Sequence, residues 1–327
     1  MMSASATTLQ PIRGRWRGAL FQQEGLVGAA IVALSLVIEL VNPEFLTPAN
    51  LSDIMVNAAY VTVAAAGMTM VIVSGGIDIS VGSILGVCAT IAGKLAVSGV
   101  PVPVAFLTAI GVGALLGLLN GALIAFARIP PIVATLGTLS VLRGGLILVT
   151  QGEWIMNMPN DFFISQRSLL GVPIPIWVML IVVTLGWFWM RYTAGGRALY
   201  AVGGNAEAAR LSGINTRRVT LQVYMMNGLL TGIAAVLYAA KFTTIQSNAG
   251  LGFELAVITA AVVGGVSILG GSGSVVGALL GALLINVIST GSVFLKISPF
   301  WLQTVQGGLI LLTVLVDMLR RRRAQKF

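Results

Sequence analysis

Long apolar runs separated by short polar segments make up most of this chain. A helix needs about 20 mostly apolar residues to cross a bilayer, and the runs predict about ten spanning helices. Thr47 followed by Pro48 is typical of a helix start, so we predict a separate surface helix over 48–57. The predicted spans are 26–41, 58–73, 84–97, 102–127, 132–150, 172–190, 219–240, 253–269, 274–290 and 300–318.

The composition places the whole chain in the membrane class. Of its 327 residues, 57% are hydrophobic and 9% are charged, and the mean hydropathy is +0.97. Soluble proteins carry about 25% charged residues. The polar segments are too short for a separate domain of about 50 residues. We therefore predict an all-α integral membrane protein with a single membrane domain over 24–319.

The positive charges indicate how the chain lies across the membrane. The formal net charge is +9, and Lys and Arg cluster in 1–23, 191–218 and 320–327. Basic segments stay on the cytoplasmic side, which predicts two cytoplasmic tails (1–23 and 320–327), a cytoplasmic loop (191–218) and an even number of spans. Anionic membrane lipid, and not nucleic acid, is the partner that this placement indicates.

The residue inventory argues against catalysis. The chain has no His, and its one cysteine, Cys88, lies in an apolar run. Ser/His/Asp triads and Cys/His metal sites are therefore excluded, and no phosphate-binding loop sequence occurs. We expect no enzyme, no cofactor and no metal. If the protein uses an energy source, that source must be another chain or an ion gradient.

The polar segment 191–218 contains a short helix that we interpret as a docking element. Asn205 is a good N-cap, Glu207 lies in the first turn and Gly213 is a typical C-cap. The helix would present small residues and one larger apolar residue to a partner. The residues assigned to docking are Asn205, Glu207, Ala208, Ala209, Leu211 and Gly213.

Polar and charged groups inside the spans are candidates for a translocation pathway. Gly75 and Gly76 interrupt an apolar run just before Asp78, which either faces a pathway or caps the next helix. Arg143 lies within a span, where a cation needs a partner, and the available acids are Glu39, Asp78 and Glu254. It either faces the pathway or forms an interhelical pair that only positions its helix. Asn120 and Asn227 either bind a solute or link neighbouring helices. The candidates are Gly75, Gly76, Asp78, Asn120, Arg143 and Asn227.

Two glycine ladders predict close helix packing and an inverted repeat. Gly113-Ala-Leu-Leu-Gly117 recurs as Gly277-Ala-Leu-Leu-Gly281, in spans that run in opposite directions. Each belongs to a ladder of glycines four residues apart, which lets helices approach closely. Inverted repeats of this kind are common in transporters.

Several motifs resemble those of ATP-binding-cassette (ABC) importer permeases. Glu207-Ala-Ala-x-x-x-Gly213-Ile is similar to the coupling loop of these permeases. Segments 75–83, 129–138 and 263–273 resemble the ribose-type carbohydrate-uptake branch, most closely its rhamnose and autoinducer-2 members. The resemblance covers nearly the whole chain after the first tail.

The resemblance implies a subunit of a sugar importer in the bacterial inner membrane. It implies a second permease subunit, identical or a sister chain, a cytoplasmic ATPase that binds the short helix, and a periplasmic sugar-binding protein. Three other hypotheses stay open: an ion-driven secondary transporter, a membrane scaffold, and an ABC permease for branched-chain amino acids or nucleosides.

Overall fold

The computed structural model describes residues 13–298 and 300–324, with the side chains of 23–298 and 300–319. Twelve α-helices dominate this part of the chain, with two 3₁₀ turns (Asn160–Phe162, Ile164–Gln166) and one hairpin, β1 (Ser168–Leu169) and β2 (Val172–Pro173). The helices are α1 (Arg13–Val41), α2 (Pro48–Val73), α3 (Val81–Val97), α4 (Val102–Ala125), α5 (Pro131–Thr150), α6 (Ile174–Tyr192), α7 (Ala194–Gly204), α8 (Ala206–Leu211), α9 (Thr216–Ala239), α10 (Phe253–Val263), α11 (Val275–Phe294) and α12 (Trp301–Ala324).

The prediction of an all-helical, multi-pass membrane protein is confirmed. Within the described ranges, eight helices are long and apolar enough to cross a membrane, namely all except α3, α7, α8 and α10. Two of the remaining four, α3 and α10, are shorter apolar helices. Together these ten helices correspond to the ten apolar runs of the sequence.

Two predicted boundaries are wrong for local reasons. The surface helix 48–57 and the span 58–73 form one continuous helix, α2, because no proline or glycine interrupts the chain near Asn57. The span predicted over 253–269 ends at Val263. Gly265 then has a φ of 99°, a conformation that only glycine adopts readily.

The remaining boundaries differ by smaller amounts. The sixth span begins at Ile174, because Val172 and Pro173 form β2. In the predicted tails, 13–23 belong to α1 and 320–324 to α12, while 1–12 and 325–327 lie outside the described residues.

The central helix of the bundle is α2, which is buried over most of its length. It packs against α6, α9, α10 and α11. Its middle consists of small residues, including Ala64, Ala65, Ala66 and Gly67. Small side chains let the surrounding backbones approach, which is how helices associate tightly inside a bilayer.

The glycine ladders are packing surfaces, as predicted. A Cβ atom on Gly117 of α4 would collide with the carbonyl oxygen of Tyr224 in α9. Gly281 of α11 faces Ala260 of α10 in the same way. Moreover, α3 packs against α4, α5 and α9, whereas α10 packs against α11, α12 and α2. The repeat pairs α4 with α11, and the same offset pairs α3 with α10, α5 with α12 and α2 with α9. The neighbours of α3 therefore correspond to those of α10, in agreement with the predicted repeat.

The bundle has two distinct ends, and α6 connects the segment 151–173 at one end to α7 at the other. We name the end that carries α7 and α8 the α8 end, and the end that carries 151–173 the loop end. At the α8 end the Arg191 guanidinium lies over the rings of Trp187 and Tyr192, 5.6 and 5.7 Å from their centroids. Aromatic and basic residues together are typical of a membrane surface.

Candidate functional site

The short helix α8 has the caps that the sequence predicts. The Asn205 side-chain oxygen accepts a hydrogen bond of 2.9 Å from the Ala208 N–H. Gly213 has a φ of 84°, and the Ile214 N–H donates to the Ala209 carbonyl over 3.0 Å. Both ends of this small helix are therefore fixed by local hydrogen bonds.

One face of α8 is anchored and the other is exposed. Ala209 is buried in the main core, whereas Leu211 is 76% exposed. Glu207 and Arg210 form an ion pair of 2.6 Å on the surface. Hydrogen bonding to Arg210 and its charge hold the pKa of Glu207 below its ordinary value. The helix thus presents an apolar side chain beside an ionised acid.

The helix α7, which directly precedes α8, was not predicted from the sequence. The Thr193 hydroxyl accepts a bond of 3.1 Å from the Gly196 N–H and caps α7. This Thr is the signal that would have indicated a helix start. Four glycines in the eleven residues conceal it, because glycine disfavours helix interiors.

The end of α7 meets two other glycine-rich segments, and we name Gly75, Gly203, Gly204, Gly270 and Gly271 the glycine junction. A Cβ atom on Gly203 would collide with the carbonyl oxygen of Val73, the last residue of α2, and would lie 2.8 Å from the Gly271 nitrogen. One on Gly270 would lie 2.8 Å from the Gly203 oxygen and 3.2 Å from the Gly75 Cα. Three backbones are therefore in direct contact.

Two hydrogen bonds hold the junction together. The Gly271 N–H donates to the Val73 carbonyl over 2.9 Å. The Tyr200 hydroxyl of α7 donates to the Gly273 carbonyl over 2.7 Å. Burial raises the pKa of Tyr200 to about 12, so the hydroxyl keeps its proton at neutral pH. A cavity of about 800 Å³ borders the junction between α1, α7, the 264–274 loop and α12.

A buried polar network begins a few residues after Val73. The Asp78 side chain is fully buried, and its Oδ1 accepts bonds from the Ser80 N–H and hydroxyl over 3.0 and 2.6 Å. Its Oδ2 accepts a bond of 2.9 Å from the Asn227 side-chain amide of α9. Asp78 thus binds the N-cap residue of α3 and also joins two distant helices.

The network extends into α4 and α5. The Asn120 amide donates to the Ser80 hydroxyl over 2.8 Å, and the Thr138 hydroxyl donates to the Asn120 oxygen over 2.7 Å. Four elements therefore meet through side chains at one buried point. The Asn227 Oδ1 is buried and has no hydrogen-bond partner in the described part of the chain, whereas the atoms named above are paired. Buried networks of this kind rigidify the helices that they join.

The structure brings some of the predicted pathway residues together and separates others. Asp78, Asn120 and Asn227 belong to the network. A Cβ atom on Gly76 would be 2.6 Å from the Tyr224 hydroxyl, which donates over 3.4 Å to the carbonyl of Ile77, the residue before Asp78. Gly75 belongs to the glycine junction.

Arg143 lies outside this network. Its Nη1 donates to the Ala249 carbonyl over 2.7 Å. Among the three acids considered as partners, Glu254 interacts with it electrostatically. Asp78 is engaged in the network, and Glu39 accepts a bond of 2.8 Å from the Leu46 N–H.

No grouping of three or more His, Cys, Asp or Glu residues able to hold a metal ion occurs within the described ranges. Within the buried network Asp78 is the one ionisable side chain, and Asn120, Asn227, Ser80 and Thr138 are uncharged. Their chemistry is that of hydrogen bonding, to neighbouring helices or to a solute that passes between them.

Comparison with known proteins identifies a family. Residues 50–314 match the family described as "Branched-chain amino acid transport system / permease component". This match covers most of the chain, including α8, the glycine junction and the buried network.

Individual relatives are similar over nearly their full length. The chain is 36% identical to the ribose import permease protein RbsC of Escherichia coli K12, over 95% of this chain and 98% of the relative. It is 38% identical to the autoinducer 2 import system permease protein LsrC of Shigella flexneri, over 88% of this chain and 84% of the relative. A ribose import permease protein of Haemophilus influenzae is 34% identical, over 91% of this chain and 93% of the relative.

Proposed function

The chain belongs to the family of permease components of branched-chain amino acid transport systems, and from this premise we propose that it is the membrane subunit of an ATP-driven importer. Its solute would be a sugar or a sugar-like molecule, and its location the bacterial inner membrane with both termini in the cytoplasm. The relatives named for ribose and autoinducer 2 support this choice of solute.

The observation that carries the proposal is the exposed, doubly capped helix α8. Leu211 projects from it into solvent, although an isolated apolar side chain there contributes nothing to the core of this chain. A short helix with one apolar residue and an ionised acid is suited to a groove on another protein. We assign α8 as the contact for a separate ATPase, through Asn205, Glu207, Ala208, Ala209, Leu211 and Gly213.

The glycine junction supports a route for coupling. Asn205 joins α7 and α8 directly, since its N–H donates to the Ala201 carbonyl of α7 over 3.1 Å. The same end of α7 lies against the end of α2 with no intervening side chain. A displacement of α8 would therefore act on the segment 73–78 that carries Asp78. The 800 Å³ cavity beside the junction gives the 264–274 loop space to move.

The translocation pathway would run beside the buried network. On this proposal Asn120, Asn227 and Asp78 hold α3, α4 and α9 in the arrangement of one state, and Gly75 and Gly76 allow the segment to change. ATPase closure shifts the permease between states only if it binds them with different affinity. A second permease subunit and a periplasmic binding protein would complete the pathway.

Reconstitution tests this proposal directly. The permease, with the ATPase and the soluble receptor encoded beside it, is placed in proteoliposomes and supplied with D-ribose, autoinducer 2 or L-leucine. We expect uptake of ribose or autoinducer 2 that requires ATP and persists without a proton gradient. Uptake of leucine alone would contradict the sugar assignment, and uptake driven by the gradient without ATP would contradict the whole proposal.

A further inference from the structure

Arg143 and Glu254 meet the same bare face of α3. A Cβ atom on Gly82 would collide with the Glu254 carboxylate. One on Gly86 would lie 2.6 Å from the Ala249 carbonyl oxygen and 3.5 Å from the Arg143 Nη1. Residues four apart on a helix are separated by about one turn, roughly 5.4 Å along the axis. The two opposite charges therefore approach glycines that lie one turn apart on α3.

Both groups keep hydrogen-bonding capacity that their neighbours do not use. A guanidinium has five N–H donors, and the bond from Arg143 to the Ala249 carbonyl occupies one of them. The Glu254 Oε2 is buried and has no hydrogen-bond partner among the side chains and backbone that the structure describes. The ion pairs within 4 Å in those ranges are Arg167–Asp161 and Arg210–Glu207, so Arg143 and Glu254 do not satisfy each other directly.

The partly buried position of these two groups makes the unused hydrogen-bonding capacity costly. Arg143 lies within α5, and Glu254 lies in the first turn of α10, which follows a loop with Gly250 and Gly252 in left-handed conformations. Irregular backbone at membrane depth is tolerated only where it is buried in protein or lines a cavity. Charged groups inside spans mark solute or ion routes.

We infer that Arg143 and Glu254 form a contact site for an uncharged, polyhydroxylated solute in the half of the pathway toward the loop end. The inference rests on the proposed function and names a binding point for it. Sugar hydroxyls both donate and accept, so they can accept from the unused N–H groups of Arg143 and donate to the Glu254 oxygen once α10 moves from α3 and uncovers that buried atom. Because an amino acid could also match both charges, its uptake is one outcome of the test below.

Chemical access tests the site without any knowledge of the solute. In a Cys88→Ala background, single cysteines at positions 143 and 254 are treated with the small anionic thiol reagent MTSES in the assembled transporter. The control is Leu107→Cys, on an exposed apolar face of α4. We expect modification at least tenfold faster at 143 and 254 than at 107. Equal rates at all three positions would overturn the inference.

Uptake kinetics separate a solute contact from a structural one. Glu254→Gln keeps side-chain size, Arg143→Gln replaces the cation by a shorter uncharged polar side chain, and the exchange variant Arg143→Glu with Glu254→Arg keeps both charges. For D-ribose uptake we expect KM to rise at least tenfold in each single variant, and no recovery in the exchange variant. Recovery on exchange, or an unchanged KM, would show a structural pair and overturn the inference.

The two measurements keep this inference separate from the proposed function. If wild-type uptake proves independent of ATP, the proposed function fails, while the access of MTSES to 143 and 254 still decides whether the pair lines a route. If L-leucine is taken up and D-ribose is not, with KM for leucine raised in both single variants, the pair is a contact for an amino acid and the stated solute class is wrong.

Discussion

Gly203 of α7 lies directly against the carbonyl oxygen of Val73, the last residue of α2, so that no side chain separates the two helices. The neighbouring Gly204 has open space where its Cβ would be. An added methyl group would meet the backbone of α2 at Gly203 and open space at Gly204, so the two adjacent glycines form a matched pair for testing transmission through the glycine junction.

We predict that Gly203→Ala impairs coupled transport and that Gly204→Ala does not. The added methyl group must displace the end of α2, an overpacking that typically costs about 1–3 kcal/mol. ATP hydrolysis and uptake are measured together in proteoliposomes, and the ratio of solute moved to ATP hydrolysed is expected to fall at least fivefold in Gly203→Ala. Co-purification of the ATPase serves as the control for assembly.

Equal ratios in the two variants would show that α7 does not act through this contact. Tyr200→Phe offers a milder change at the same place, because it removes only the bond to the Gly273 carbonyl. It is expected to lower the same ratio while leaving the melting temperature close to that of the wild type.

Helix packing along α4 supports a second prediction. Gly117→Ala would force α4 away from α9, whereas Gly111 of the same helix has open space around it. We expect Gly117→Ala to lower the melting temperature in detergent by several degrees and Gly111→Ala to leave it unchanged. A stable Gly117→Ala variant would mean that α9 is not held against the glycine ladder.

The buried network gives a third prediction. Thr138→Val preserves the shape of the side chain but removes the donor to the Asn120 oxygen, which leaves a buried acceptor unpaired at a cost of about 1–3 kcal/mol. Ser140→Ala, on the exposed side of α5, removes only a bond to the Leu136 carbonyl. Thermal unfolding of both variants is the measurement, and equal stabilities would contradict the importance of the network.

Much of this arrangement could be predicted from the sequence where local chemistry decides it. Asn205 and Gly213 bound α8 as expected, because capping depends on neighbouring residues. The glycine ladders were also correctly interpreted, since a helix with glycine every four residues needs a close neighbour. By contrast, α7 was missed, because its Thr193 cap was outweighed by its glycines.

Long-range relationships could not be predicted in the same way. Asp78, Asn120 and Asn227 were individually unusual, but their meeting depends on how α3, α4 and α9 pack. Thr138 was not among the predicted site residues, although its hydroxyl donates to the Asn120 oxygen and so extends the network to α5. Hydropathy alone also extended α10 beyond Val263, since the glycine-rich loop that follows is itself apolar.

A fourth prediction concerns charge at α8. Glu207→Lys should reduce ATPase binding and uptake at least tenfold, while membrane insertion and stability of the bundle stay unchanged, because Glu207 is on the surface. Pull-down of the ATPase and uptake assays measure the effect. Normal uptake by Glu207→Lys would remove the acid from the docking contact.

The pH dependence of this contact follows from the lowered pKa of Glu207. A carboxyl whose pKa is depressed in the folded state contributes stability that is present above its ordinary value of about 4.3 and is lost as the pH falls through the lower, folded value. ATPase binding by the wild type should therefore not vary between about pH 8 and about pH 6. A loss of binding in that range that is absent from Glu207→Gln would contradict this assignment.

Crosslinking from Leu211 tests whether α8 is the contact for a separate ATPase. A Leu211→Cys variant in the Cys88→Ala background is assembled with its ATPase and treated with a short bifunctional thiol reagent. If α8 docks on the ATPase, we expect a covalent permease–ATPase adduct whose yield changes when ATP is added. Absence of the adduct, together with labelling of the cysteine by an impermeant maleimide from the periplasmic side, would contradict it.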